Sequence, residues 1–274
     1  MKHQTFTFTI YKTHFHGQIW QPENTKGVIV LAHGMGEHAT RYIDFIIPSF
    51  VKNDYAVVAF DHFGHGKTTG KRGHNPNFEA VLTSIEKTID KASQTFPNKP
   101  MYLYGHSMGG NAVLNYALRK PNNFQGIIAT SPFLKLAFEP PAWKMTLGKI
   151  LQKIAPSITL GNELDPNLVS RDAKEVEKYI NDPLIHDQIS ANFSLTFIAS
   201  GKWAIKNANI LKTATFIAHG TDDKIIDYKG SKAFANNSTL ATLKLYEGGY
   251  HELHNDFCKE TLFSDILIWL ALQG

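Results

Sequence analysis

The stretch from Pro100 to Gly110 constrains this 274-residue chain more than any other. A short apolar run, Met101–Tyr104, is typical of a buried strand, and it leads through Gly105-x-Ser107-x-Gly109 into a helical stretch. A sharp strand–turn–helix connection strains the serine backbone and exposes its hydroxyl at the end of the strand. The flanking glycines let the strand and helix backbones approach closely. The motif also fits an incidental serine in a glycine-rich turn, so the rest of the chain decides its meaning.

Composition bounds the class of protein. The chain is 43% hydrophobic and 19% charged, so it can bury a large core, and its net charge of +4 is too mild to indicate nucleic-acid binding. Residues 1–5 lack the apolar segment of a signal peptide, and no window approaches about 18 apolar residues. The single cysteine, Cys258, excludes an intramolecular disulfide and fits a reducing compartment. We therefore expect a cytoplasmic protein without a nucleic-acid partner.

Apolar periodicity predicts a mostly parallel sheet covered by helices. Residues 1–20 alternate apolar and polar side chains, as half-exposed antiparallel strands do. Later runs are continuously apolar and β-branched, which is typical of parallel strands buried on both faces. These runs span 28–32, 56–60, 126–129 and 214–218, followed by a strand at 240–246 and a helix at 257–272.

One segment interrupts the alternation of strands and helices. From residue 131 to about residue 189 no strand-like run occurs, and prolines are concentrated there. Within it one helical face is apolar, with lysines largely opposite; the apolar residues are Trp143, Leu147, Ile150, Leu151 and Ile154. We interpret 133–189 as a helical cap inserted after the sixth strand, which leaves 1–132 and 190–274 as the core. Such an insertion lies over the carboxyl ends of the strands.

A serine nucleophile needs a base to remove its proton and a carboxylate to orient that base. In this kind of fold both follow the serine in the chain, at the ends of later strands. The loop after Ala218 contains Asp222 and Asp223, either of which could instead be a helix N-cap. The loop after Tyr246 contains His251. Suitable residues at three strand ends, in the right order, favour a catalytic triad.

The loop after the third strand should supply a donor for an oxyanion hole. It reads His33-Gly-Met-Gly-Glu-His38, and its glycines permit a bend that turns the Met35 N–H toward Ser107. The Met108 N–H, at the start of the following helix, is the second expected donor. His33 precedes the serine in the chain, so bracing the loop is favoured over a role as base.

The 13 histidines do not have the spacing of a metal site. His251 and His254 stand three residues apart, whereas a zinc-binding His-Glu-x-x-His helix places them four apart. No other group of His, Cys, Asp and Glu has zinc spacing. Since water alone can release an acyl group from a serine, we expect neither a metal nor an organic cofactor.

Seven motifs between about residue 28 and residue 255 carry a family resemblance. They are His33-Gly-Met-Gly-Glu-His38 with Arg41-Tyr42, Asp61-His-Phe-Gly-His-Gly66, Gly105-His-Ser-Met-Gly-Gly110, Ser170-Arg-Asp172, Asp182-Pro-Leu184, Gly220-Thr-Asp-Asp223 and Tyr246-Glu-Gly-Gly-Tyr-His-Glu-Leu-His254. In this combination the chain closely resembles the monoacylglycerol lipase and lysophospholipase-like branch of the α/β-hydrolases. The resemblance implies the α/β-hydrolase fold, with about eight strands and a helical cap after the sixth.

The resemblance also implies a function and its residues. It implies cleavage of single-chain lipid esters by Ser107, with Asp223 rather than Asp222 as the acid and His251 as the base. The residues that it implies for binding a glycerol head group are Glu37, Arg41, Tyr179 and His254. Two departures affect the shape of the pocket: Met35 replaces a smaller residue of some relatives, and the cap lacks the cysteines of certain members.

Other functions use the same scaffold. A general carboxylesterase or a serine aminopeptidase would share the triad, whereas a hydrolase-fold binding protein would not need all three residues. A dehalogenase or epoxide hydrolase with an aspartate nucleophile is excluded, because Ser107 occupies that position. We further expect the cap helix to touch a membrane surface transiently, since it carries lysines away from its apolar stripe. The protein would then be cytoplasmic and peripheral to a membrane.

Overall fold

A computed structural model describes residues 1–121 and 123–273, most of them arranged around one eight-stranded sheet. Its strands are β1 (Lys2–Ile10), β2 (Thr13–Gln21), β3 (Gly27–Ala32), β4 (Tyr55–Phe60), β5 (Met101–His106), β6 (Gly126–Thr130), β9 (Thr215–Gly220) and β10 (Ala241–Tyr246). They lie in the order β1-β2-β4-β3-β5-β6-β9-β10. Strands β1, β2 and β4 pair antiparallel, and the pairs from β4 to β10 are parallel. The predicted mostly parallel sheet of about eight strands is confirmed.

Helices cover both faces of this sheet. They are α1 (Ile46–Lys52), α2 (Phe78–Thr95), α3 (Met108–Arg119), α4 (Ala142–Ile154), α5 (Ala173–Asn181), α6 (Ala191–Lys206), α7 (Tyr228–Asn236) and α8 (Lys259–Ala271). Residues of α2, α3, α6 and α7 form the apolar core on one face, and residues of α1 and α8 form the core on the other. Among the described helices, none is both long enough and apolar enough to cross a bilayer.

Strand β3 shows why the central runs are continuously apolar. Val28 and Val30 pack into the first core, whereas Ile29 and Leu31 pack into the second. Successive side chains of a strand point to opposite faces, so a strand covered on both sides needs an apolar residue at every position.

The chain leaves the main sheet between β6 and β9. It forms α4, α5 and α6 there, together with a two-stranded antiparallel sheet of β7 (Thr159–Gly161) and β8 (Gln188–Ser190). The prediction that this segment contains no strand is therefore wrong. Each of these strands has only three residues, too few for an apolar period to appear. Helix α6 packs on α3 and shares its core, while the bounds of a cap stay a prediction.

Two helix glycines give a matched test of packing in this segment. A Cβ on Gly148, in α4, would lie 3.6 Å from the side chain of Leu195, whereas one on Gly201, in α6, would lie 2.7 Å from the carbonyl oxygen of Leu134. Gly148→Ala should raise the free energy of unfolding by about 0.5–1 kcal/mol through helix propensity. Gly201→Ala should lower it by about 1–3 kcal/mol because the backbone must shift. Urea denaturation measures both values, and a stabilising Gly201→Ala would contradict this packing.

Candidate active site

Ser107 lies in the turn between β5 and α3. Its backbone has φ 51° and ψ −113°, so the strained conformation expected for this serine is present. A Cβ on Gly105 would overlap the carbonyl of Gly109, and one on Gly109 would overlap the carbonyl of Ala32. The two glycines therefore allow α3 to begin directly against β3 and β5.

Three strand ends bring a serine, a histidine and an aspartate together. His251 Nε2 lies 2.9 Å from Ser107 Oγ, and His251 Nδ1 lies 2.7 Å from Asp223 Oδ2. An ionised carboxylate only accepts hydrogen bonds, so Nδ1 carries the ring proton and Nε2 accepts from the serine hydroxyl. The three side chains are buried, whereas Asp222 is exposed.

Asp223 is held by four donors on two oxygens. Oδ1 accepts from the backbone N–H groups of Ile225 and Ile226, each at 2.9 Å. Oδ2 accepts from His251 and, at 3.2 Å, from His219 Nε2. Burial opposes the charge, but the two histidines outweigh it and lower the pKa of Asp223. The carboxyl is therefore ionised at neutral pH.

The pair with Asp223 also decides the basicity of His251. Burial alone would lower the pKa of His251, but the charge and the hydrogen bond of Asp223 raise it above its ordinary value of 6.5. Ser131 Oγ donates to the His251 carbonyl at 2.7 Å and so fixes the backbone of this loop. Ser131 was not predicted from the sequence, because a serine directly after a strand carries no motif.

The loop after β3 lies against the serine. A Cβ on Gly34 would be 3.3 Å from Ser107 Cβ, and Met35 follows in the chain. His33 Nδ1 lies 2.7 Å from the carbonyl of Gly34, and the His62 N–H donates to His33 Nε2 at 2.9 Å. The bracing role predicted for His33 is confirmed by these contacts. The backbone amides of Met35 and of Met108, the first residue of α3, thus belong to the two segments beside the serine.

The residues implied for head-group binding form a buried polar cluster. Arg41 lies between two carboxylates, with Nη2 2.6 Å from Glu252 Oε2 and Nε 3.5 Å from Glu37 Oε2. Its guanidinium lies 5.0 Å from the centre of the Tyr179 ring, and His254 is fully buried nearby. Burial and the charge of Glu252 raise the pKa of Glu37 to about 7. Their contact with a substrate stays a prediction. Arg41 pairs with carboxylates, whereas both ring nitrogens of His254 have no hydrogen-bond partner among the described residues.

Several neutral histidines pack around the two loops. His33 and His62 have ring centres 4.6 Å apart, as do His65 and His186, and those of His106 and His254 are 4.7 Å apart. Burial lowers the pKa of His62 to about 3, and that of His186 and of His254 to about 4. In the described ranges no group of three His, Cys, Asp or Glu side chains is arranged to hold a metal ion.

These buried rings predict a loss of stability in mild acid. A histidine in the unfolded chain binds a proton near pH 6.5, whereas the buried ring of the folded protein stays neutral. The free energy of unfolding therefore has its full value above that pH and declines below it. The decline is up to about 1.4 kcal/mol per pH unit for each ring. Urea denaturation between pH 7.5 and 5 should therefore give a free energy of unfolding that falls with the uptake of several protons.

His62 supplies a variant for this test. Among the described residues its ring nitrogens have no hydrogen-bond partner, so His62→Phe keeps the packing and removes one titrating group. The number of protons taken up on unfolding, read from the slope of the free energy of unfolding against pH, should drop by about one in His62→Phe. A free energy of unfolding that is constant from pH 7.5 to 5 would contradict the account.

A serine at a strand–turn–helix junction, with an aspartate and a histidine at later strand ends of a mostly parallel sheet, defines the α/β-hydrolase class. The chain belongs to the family described as serine aminopeptidase, S33 (Hydrolase_4), whose sequence profile matches residues 23–257. The match includes all three residues of the hydrogen-bonded chain.

Individual proteins that resemble this chain are hydrolases of the same fold or carry an abhydrolase domain. A monoacylglycerol lipase of Mycolicibacterium smegmatis is 31% identical over 257 residues, which are 92% of this chain and 91% of the relative. The crystal structure of Paleococcus ferrophilus monoacylglycerol lipase has a TM-score of 0.85 at 33% identity and covers 93% of this chain and 98% of its own. An uncharacterized abhydrolase domain-containing protein of Dictyostelium discoideum is 36% identical over 256 residues, but the chain spans only 27% of that relative.

Proposed function

We propose that the protein is a serine hydrolase that cleaves carboxylic esters of single-chain lipids, in the manner of a monoacylglycerol lipase. The hydrogen-bonded chain from Ser107 through His251 to Asp223 carries this proposal. The substrate class is supported by similarity, over most of the chain, to proteins named monoacylglycerol lipase.

The contacts supply a mechanism for the first half of the reaction. Ser107 Oγ attacks the ester carbonyl carbon while its proton passes to His251 Nε2, 2.9 Å away. Asp223 stabilises the resulting imidazolium and keeps the ring in the tautomer that accepts this proton. His251 then donates the proton to the leaving alcohol oxygen, and the acyl group stays on the serine. A water molecule, activated by the same histidine, releases the fatty acid in the second half.

The developing negative charge needs donors that are already in place. We assign the backbone N–H groups of Met35 and Met108 to this oxyanion hole. Support comes from the position of Gly34, where an added Cβ would lie 3.3 Å from Ser107 Cβ. Further support comes from the position of Met108 at the N-terminal end of α3, where the helix dipole favours an anion. Fixed donors of this kind usually make the largest contribution to lowering the barrier of acyl transfer.

Substrate choice separates the proposal from its alternative. A general esterase or a serine aminopeptidase would use the same three residues, and the family description names aminopeptidase activity. The test compares kcat/KM for long-chain monoacylglycerol, lysophosphatidylcholine, short p-nitrophenyl esters and amino-acid p-nitroanilides. The proposal requires the highest value with a single-chain lipid ester. A preference for the p-nitroanilides would reject it in favour of an aminopeptidase.

The assigned roles predict a graded loss of activity. Ser107→Ala and His251→Ala should each lower kcat by roughly 10⁴-fold or more with an unchanged melting temperature. Asp223→Asn should cost less than either, because the histidine remains present but loses its orienting charge. The matched control is Asp222→Asn, which changes the exposed neighbour and should retain full activity. Near-normal turnover in Asp223→Asn would show that the wrong aspartate was assigned.

We also propose that residues 133–189 form a cap and that α4 contacts a membrane surface. The support is an apolar stripe with helical spacing, exposed over 42–74% of its residues' surfaces: Trp143, Leu147, Ile150 and Ile154. Leu151, on the neighbouring side of the helix, is half-buried. Lys149 and Lys153 are exposed on the same helix and favour anionic head groups. The arrangement resembles an interfacial helix.

The two sides of α4 allow a matched test of this contact. Replacing Leu147 and Ile154 with serine should weaken binding to anionic liposomes by roughly 10-fold or more, because exposed apolar area is lost. The KM for long-chain monoacylglycerol should rise, while short soluble esters are cleaved as before. The control Leu151→Ser should instead lower the melting temperature. If the double variant binds liposomes normally, or loses activity on both substrates together, the membrane contact is wrong.

A further inference from the structure

Asp223 has a second histidine partner that the proposed chemistry does not use. His219, the penultimate residue of β9, is fully buried. Its Nε2 lies 3.2 Å from Asp223 Oδ2 and 3.1 Å from the carbonyl oxygen of Ile226. On the other side of the ring, Nδ1 lies 2.8 Å from Ser231 Oγ on α7.

These contacts determine the tautomer of His219. Two acceptors face Nε2, a carboxylate oxygen and a carbonyl oxygen, and neither can donate a proton. Nε2 must therefore carry the ring proton, which it shares between them. In the neutral form of the ring, Nδ1 is then unprotonated and accepts from the Ser231 hydroxyl. The Ser231 hydroxyl then donates to His219, and His219 donates to the same Asp223 oxygen that His251 binds.

We propose that His219 and Ser231 are positioning residues of the reaction, which act on His251 through Asp223. Ser231 holds the ring in place through Nδ1, and His219 donates the second N–H to Asp223 Oδ2. This inference rests on the proposed function of the triad. The shared oxygen fixes the plane of the carboxylate and divides its charge between two imidazoles. Less of that charge is then available to hold a proton on His251.

The expected effect on His251 follows from the groups around it. His251 faces Asp223, Ser107 and the ring of His106, whose centre is 4.8 Å from its own, and it lies within the influence of the carboxylates of Glu252 and Glu37. Of these groups, Asp223 contributes the largest attraction for a proton. Removing the His219 donor strengthens that attraction, so His251 should protonate at a higher pH.

The acid limb of kcat/KM reports this change, because it follows protonation of the base in the free enzyme. The wild-type limb should lie above pH 6.5, in line with the raised pKa of His251. In His219→Leu the limb should move to higher pH by about half to one pH unit. The plateau of kcat/KM should fall roughly 10- to 100-fold through kcat, with KM for monoacylglycerol little changed.

Conservative variants separate positioning from mere packing. The amide of glutamine in His219→Gln reaches the position of Nε2 and can donate to Asp223, whereas the shorter asparagine reaches only the position of Nδ1. His219→Gln should therefore restore most of the activity and the wild-type limb, and His219→Asn should not. Ser231→Ala should move the limb in the same direction as His219→Leu, by less.

A similar histidine–serine pair far from Asp223 in the chain serves as control. His74 Nδ1 lies 3.0 Å from Ser190 Oγ, and His74→Leu should leave the acid limb in place. An acid limb equal to wild type in both His219→Leu and Ser231→Ala would overturn the inference, even if the melting temperature falls. Should His219→Leu fail to fold, Ser231→Ala decides alone. Failure of the proposed function is distinct, because it would appear as a different substrate preference of the wild-type protein and not in the acid limbs of the variants.

Discussion

The buried carboxylate of Asp223 is the group on which the rest of the site depends. An ionised carboxylate without partners is too costly to bury, so its environment must supply donors. Backbone amides hold Oδ1, while His251 and His219 hold Oδ2. Because every donor is already in place, the carboxylate can fix the His251 tautomer without reorganising. The serine hydroxyl then has a neutral nitrogen to receive its proton.

The segment between β6 and β9 braces the loops that carry this chemistry. His186 donates its backbone N–H to the Gly36 carbonyl at 2.9 Å, which ties the segment to the loop after β3. Arg171 pairs with Asp256 at 2.6 Å, five residues after His251. The segment between β6 and β9 thus contacts both the loop after β3 and the loop that follows β10. Changes in it are expected to alter the geometry of the site as well as access to it.

Structural elements that are marked by a pattern over several residues were predicted well from the sequence. Continuous apolar runs located the parallel strands, and three strand-end loops in order located Ser107, His251 and two candidate aspartates. The family resemblance, and not the loop order, chose Asp223 over Asp222. Roles that depend on a single long-range contact were not predicted, because nothing in the sequence next to Ser131 or His219 marks its partner. The short strands β7 and β8 were missed for a related reason: three residues cannot display a period. The polar residues around Arg41 were found, but the pairing of Arg41 with Glu37 and Glu252 was visible only in the fold.

The proposed chemistry requires that His251 makes Ser107 a nucleophile. The most direct measurement is the rate of labelling by a fluorophosphonate, with the modified residue identified by mass spectrometry of peptides. We expect one adduct, on Ser107, that forms at least about 100-fold more slowly in His251→Ala. The rate in the wild-type protein should fall as His251 protonates in acid. An unlabelled serine, or labelling that is equally fast without His251, would contradict the account.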